Sequence, residues 1–150
     1  MIELRVPTDA DWDDVLAAAD AAVPFDPATN RVWVENRRAF DSTGGLRRHY
    51  VAVTDGRPTG YGAVELRTPD ARVARLFVTT APDLLPSVGA ALHERLLADA
   101  AALGVETLWM REYAADEPLL AFVRARGFAE TQRASSPDGS FEYVTLERRL

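Results

Sequence analysis

The sequence predicts an α+β fold, a mixed and mostly antiparallel sheet flanked by helices, and three observations carry that reading. A chain of 150 residues, 47% of them hydrophobic, holds enough apolar side chain for one core and has no room for two, so residues 1–150 are read as one domain. Segments with period-two alternation and segments with helical spacing follow one another in the order β-α-α-β-β-β-α-β-α-β-β. Two Asp-Gly dipeptides, Asp55-Gly56 and Asp138-Gly139, stand between neighbouring strand segments and mark tight hairpins, which make antiparallel pairs.

Taken in order, residues 2–6 alternate and read as a short strand stopped by Pro7. Thr8 or Asp9 caps a helix whose first turns carry Asp11, Asp13 and Asp14, acids that suit a helix N-terminus, and whose inner stripe is Trp12, Val15, Leu16, Ala19 and Val23. Pro24 and Pro27 break it. Thr29 or Asn30 then caps a second helix running to about Phe40, with Val32, Trp33 and Phe40 as apolar anchors. Strands are expected at residues 49–54, 59–66 and 72–79. After a loop, residues 87–103 form a long helix, with Val88, Ala91, Leu92, Leu96, Ala100 and Leu103 at helical spacing and Gly104 as its stop. A buried strand at 105–110, a short helix at 117–126 ended by Gly127, and a last hairpin of residues 128–134 and 141–146 complete the order.

Composition narrows the chemistry. A formal charge of −6, spread along the chain, disfavours a nucleic-acid partner. With no cysteine there are no disulfides, thiolate nucleophiles or Cys-ligated metals, and a reducing compartment is allowed. The first residues lack a signal-peptide pattern and no apolar run approaches the roughly 20 residues of a membrane span, so a cytoplasmic protein without membrane association is expected. All 17 basic residues are arginine, which removes lysine Schiff bases and the lysine of a P-loop. His49 and His93 are expected in solvated positions, since neither has a second ligand three or four residues away that would make a metal site. A Ser42/His49/Asp triad lacks a G-x-S-x-G elbow and is set aside.

Two segments then carry a resemblance. Arg75-Leu76-Phe77-Val78, followed after a loop by Ser87-Val88-Gly89-Ala90-Ala91-Leu92, resembles the strand, Q/R-x-x-G-x-G/A loop and long helix of the GNAT N-acyltransferase superfamily, with Leu84 at the Gln/Arg place, Ser87 at the first glycine place and Gly89 at the second. Asp116 to Phe128 is similar to the superfamily's N-x-x-A-x-x-F-Y-x-x-x-G-F segment, with Asp116 at the Asn place, Leu119 at the Ala place and Val123 where many relatives carry a tyrosine that protonates the departing thiolate. The resemblance covers nearly the whole chain. It implies an acetyltransferase that uses acetyl-CoA to modify an amine of a small molecule or a peptide, and a possible homodimer. The alternative is a non-catalytic domain of the same fold that binds a ligand or a partner through a degenerate loop.

Acyl transfer to an amine needs a base, a donor to polarise the thioester carbonyl, and a proton for the sulfur. The resemblance implies a cofactor site made of Phe77, Val78, Thr79, Leu84, Leu85, Ser87, Val88, Gly89, Ala90, Asp116 and Phe122, with the pantetheine arm entering a splay between two strands and a main-chain N–H near Phe77 or Val78 facing the carbonyl. The unpaired amides at the start of the long helix, near Ser87 and Gly89, would hold the pyrophosphate. Glu65, on one strand face with Tyr61 and Ala63, is the first candidate base and Glu112 the second. Tyr113 is the candidate acid in place of the missing tyrosine. The resemblance also places Trp33, Asn36-Arg37-Arg38 and Arg47-Arg48 in the segment that shapes the acceptor pocket.

Overall fold

The computed structural model describes residues 1–39 and 45–150. Its strands are β1 (Ile2–Arg5), β2 (Leu46–Thr54), β3 (Arg57–Leu66), β4 (Val73–Thr80), β5 (Thr107–Tyr113), β6 (Ala129–Ser135) and β7 (Glu142–Arg149), and its α-helices are α1 (Trp12–Ala22), α2 (Pro27–Arg38), α3 (Ala90–Ala102) and α4 (Glu117–Arg124). The element order is the one read from the sequence. The strands form one sheet in the order β1-β2-β3-β4-β5-β7-β6, in which the β4 and β5 pair alone is parallel. A parallel pair needs a crossover, and α3 supplies it. The β2–β3 turn has Asp55 at φ 52° and Gly56 at φ 80°, the positive angles that a two-residue hairpin requires.

Alternation along β3 divides the core in two. Tyr61 and Ala63 join Trp12, Val15 and Ala19 of α1 and Val34 of α2 on one face. Val64 and Leu66 join Val88, Leu92 and Leu96 on the other face, where α3 and α4 lie. Gly60 and Gly62 point toward α3 because nothing larger fits: a Cβ on Gly60 would stand 2.6 Å from Val88 Cγ1, and one on Gly62 2.7 Å from Leu96 Cδ1.

Four local expectations are corrected. The second helix starts at Pro27 with Asp26 as its cap, accepting from Thr29 N at 3.4 Å, because proline is preorganised for the first helical position and so opens the helix it was expected to precede. Val32 is 59% exposed and Val34 is the buried anchor; Phe40 and Ser42 lie outside the described residues. His93 is 4% exposed, edge-on to Phe122 and Phe128, where a solvated position was expected. His49 is partly buried too, beside Trp12 and Tyr61, and shares a 3.0 Å hydrogen bond with the Tyr61 hydroxyl. Burial pulls both imidazoles down to about 4, so both are neutral near pH 7.

The long helix differs most. Helical chain begins at Pro82, with a 3-10 turn over Pro82–Leu84 and a π turn over Leu85–Gly89 ahead of α3, where a start at Ser87 was expected. Pro86 is the reason. It has no N–H for the carbonyl of Pro82, and its ring would press on that carbonyl in a regular helix. The Pro82 carbonyl instead accepts from Leu85 N, and the chain widens until Ala90 N reaches back five residues to the Leu85 carbonyl.

Candidate active site

β4 and β5 pair only through Val73, Ala74 and Arg75 against Thr107, Leu108 and Trp109. Beyond that point β5 stays paired with β7 to its end at Tyr113, and β4 stays paired with β3 to Thr80, so the two parallel strands separate. Among the described residues the β5-facing edge of β4 from Leu76 to Thr80 has no strand partner. The separation opens into a cavity of about 490 Å³ lined by Phe77, Val78 and Thr79 of β4, Arg111, Glu112 and Tyr113 of β5, Asp116 and Leu119, and Asn30 and Trp33 of α2, with Arg75 at its base.

The three candidate catalytic residues separate on this map. Glu112 lines the cavity, and β5 carries it there because the strand runs to Tyr113, three residues past its expected end. Burial, together with the negative charge of Asp116, pushes its carboxyl up to about 8, against the pull of the Arg75 cation. Tyr113 lines the cavity as well, as the last residue of the strand it was expected to follow. Its hydroxyl donates to Asp26 Oδ2 at 2.6 Å, and its ring packs between Phe25, Phe141 and Tyr143. Burial and the Asp26 hydrogen bond both push its pKa up. Glu65 shares its face with Tyr61 and Ala63, as alternation requires, but it is not part of the cavity lining. Its Oε2 lies 3.1 Å from Arg37 Nε, with both side chains largely buried. The N–H does not point along that line, so the contact is an ion pair without a hydrogen bond.

The expected cofactor residues are likewise divided. Asp116, 5% exposed, caps α4 by accepting from Leu119 N, and burial lifts its carboxyl to about 6 against that bond. Asp116 and Leu119 also adjoin Val78, Thr80, Pro82 and Leu85 in a small recess at the helix opening. Ser87 is exposed, with its hydroxyl 3.4 Å from the Leu84 carbonyl, and Leu84 and Ala90 are partly buried. Leu85, Val88 and Phe122 belong to the core. Gly89 is buried, and a Cβ there would meet Leu85 Cδ2 at 3.0 Å and Phe122 at 3.4 Å, so its small size serves packing. The amide-rich opening therefore sits near Asp83 and not at Ser87, and two of its donors are used internally: Leu84 N donates to the Ala81 carbonyl and Leu85 N to that of Pro82.

Sequence reasoning missed Arg75 and Asp26 as site residues. Asp26 was detectable, since Asp before Pro is a helix-start signal. Burial raises its carboxyl, but hydrogen bonds from Tyr113 and Thr29 prevail and hold it below its usual value, so it is an anion at neutral pH. Arg75 alternates with Phe77 on β4, which gives its face, but only the strand separation shows that it meets a cavity.

No protein-family model and no curated protein sequence matches the chain. Solved structures match it over its full length. A ribosomal-protein-S18-alanine N-acetyltransferase from Escherichia coli superposes with TM-score 0.73 at 19% identity, covering 99% of this chain and 94% of that one. A GCN5-related N-acetyltransferase from Kribbella flavida gives 0.73 at 20% identity, covering 99% and 98%. An N-acetyltransferase from Thermoplasma acidophilum, solved in complex with coenzyme A, gives 0.70 at 13% identity, covering 100% and 99%.

Proposed function

Starting from the GNAT fold that this chain carries, we propose that it is an acyl-CoA-dependent N-acyltransferase that moves an acetyl group onto an amine of a small molecule or a peptide. The observation that supports this most directly is the parting of β4 and β5 beyond Arg75 and Trp109, which leaves a free strand edge beside a cavity that holds Glu112.

The residues fit an acyl-CoA in part. The unpaired edge of β4 from Leu76 to Thr80 has the main-chain groups that an amide-bearing pantetheine arm would pair with, and an N–H at Phe77 or Val78 would face the carbonyl. Ser87 is exposed but lies past the helix opening, with its hydroxyl donated to the Leu84 carbonyl. Leu84 adds nothing polar there, and the internal bonds of Leu84 and Leu85 withdraw two donors. Acetyl-CoA supplies the activated acyl group as a thioester. In this reading Glu112 takes the proton as the amine nitrogen bonds to the acyl carbon. With its carboxyl near 8, close to a thiol's range, it can return that proton to sulfur as the carbon–sulfur bond breaks. Tyr113 lines the same cavity, but its single hydroxyl proton is engaged by Asp26, so it can serve as a donor to sulfur only by leaving that bond. Glu65, bound to Arg37, acts as a brace for that cation.

Heat melts with acetyl-CoA test the reading. A live site raises the melting temperature by mass action, at a hundred times Kd by about 2.7 kcal/mol of stability. An amine screen with thiol release as its readout then identifies the acceptor. The withdrawn donors at Leu84 and Leu85 favour the second reading, a binding domain of this fold without turnover. No shift at millimolar acetyl-CoA would sink the enzyme and leave that second reading.

A further inference from the structure

Arg75 is a cation that the charges of Glu112 and Glu65 act on but that no acceptor among the described residues hydrogen-bonds. It lies directly opposite Glu65 in the β3–β4 register, yet Glu65 is engaged by Arg37. Among the described residues Arg75 makes no hydrogen bond or ion pair, and its Nε is buried without a partner. Its guanidinium is nonetheless fixed in place, 4.5 Å from the Phe77 ring centroid and 4.8 Å from that of Trp109. Phe77 also carries the Arg37 guanidinium at 4.4 Å, and Arg37 lies 5.4 Å from the Trp33 ring. Stacking on ring faces satisfies none of the five N–H donors of an arginine, which lie in its plane and aim at its edge. A half-buried guanidinium with unused donors costs stability unless something from outside supplies acceptors.

Arg75 is also part of the cavity lining, and the same cavity holds an acidic group, Glu112 and Asp116, with Asp26 behind Tyr113. One half-open cleft thus offers a fork of donors for a planar anion and carboxyl groups that receive an amine. A volume of about 490 Å³ that must also admit an acyl end suits a small acceptor. We propose that Arg75 receives the carboxylate of the acceptor, so that the acceptor is an amino acid or a similar small amino-carboxylate. The amine half of this statement rests on the acyl-transfer reading; the anion half rests on Arg75 alone.

The test uses matched pairs that differ in one charge: L-phenylalanine and L-leucine against their carboxamides for turnover, and the N-acetyl forms of the same four compounds for binding. Binding is read as a shift in melting temperature and in the fluorescence of Trp33 and Trp109. The wild-type protein is expected to prefer the carboxylate in at least one pair by about tenfold to a hundredfold, the worth of a charge-assisted paired contact. R75Q is expected to remove that preference, and R75K, which keeps the charge without the planar fork, to reduce it severalfold. If R75Q fails to fold, R75K decides by itself. Equal binding of carboxylate and carboxamide in every wild-type pair, or an unchanged ratio in R75K, overturns the proposal. If acetyl-CoA gives no shift while an Arg75-dependent carboxylate preference persists, the transfer reading falls and the anion site stands. A clear acetyl-CoA shift with no carboxylate preference removes the anion site and leaves the transfer reading in place.

Discussion

A carboxyl group held near 8 behaves unlike one on a surface, and Glu112 should show it in two ways. Its folded value lies above the ordinary 4.5, so the folded protein binds a proton that the unfolded chain releases. The contribution to stability is therefore full below about pH 4.5 and is lost as pH rises through about 8. E112Q is expected to melt at a temperature that changes less between pH 5 and pH 9 than the wild type's, measured by calorimetry in matched buffers. The acetylation rate of the wild type is expected to climb with pH to a plateau above about 8, and E112Q to lose about a hundredfold or more in kcat together with that rise. A flat wild-type profile would remove Glu112 as the base. Y113F separates two roles for its hydroxyl: loss of the Asp26 bond alone lowers the melting temperature, whereas proton delivery to sulfur also lowers kcat. Of the three candidates, Glu112 and Tyr113 line the cavity, while the sequence ranked Glu65, which does not, first as base. Period-two alternation shows which face a carboxylate occupies and says nothing of the arginine that reaches it from a helix.

Among the elements, the approach of α3 to β3 depends on two missing side chains. G62A places a methyl 2.7 Å from Leu96 Cδ1 and 3.1 Å from the Phe77 carbonyl, so Leu96 or the whole helix must move. A loss of about 1–3 kcal/mol is expected from this overpacking, read as the denaturant midpoint. The entry to α1 depends on Asp11, which accepts from Arg5 at 2.6 and 2.9 Å and from Thr8 N at 2.7 Å. The hydrogen bond and charge of Arg5 prevail over burial and hold its carboxyl at about 2. Its stabilisation is thus present above about pH 3.8 and lost as pH falls through about 2. D11N is expected to cost about 1 kcal/mol at pH 7, a figure that allows for the partly exposed Arg5, and almost nothing near pH 2. The opening of α3 was the least legible element. The stretch before Ser87 read as a loop, while in the folded chain Pro82 starts a helical turn and Pro86 only widens one. G89E, the obvious way to block a ligand there, would first press on Leu85 and Phe122, which a Cβ at that position meets at 3.0 and 3.4 Å.

At the scale of the molecule, the cleft comes from an unequal contest for β5. β7 pairs with all seven of its residues and β4 with three, so β5 follows β7 and leaves β4. Hydrogen exchange offers a test of what that free edge is for. Acetyl-CoA is expected to slow exchange of amides in residues 76–80 while those of the β2–β3 hairpin, already paired, stay as they were. Equal slowing across the sheet would point to general stiffening in place of a ligand on β4.

The element order, the hairpin at Asp55-Gly56, the stop at Gly104 and the apolar stripes of α1 and α3 were all present in the sequence, because they depend on neighbours within about four residues or on a two-residue period. Where β4 and β5 part, which carboxylate Arg37 engages and which arginines face the cavity were decided only by the tertiary structure. Those outcomes depend on competition between segments far apart in the chain, and local spacing carries no record of who wins.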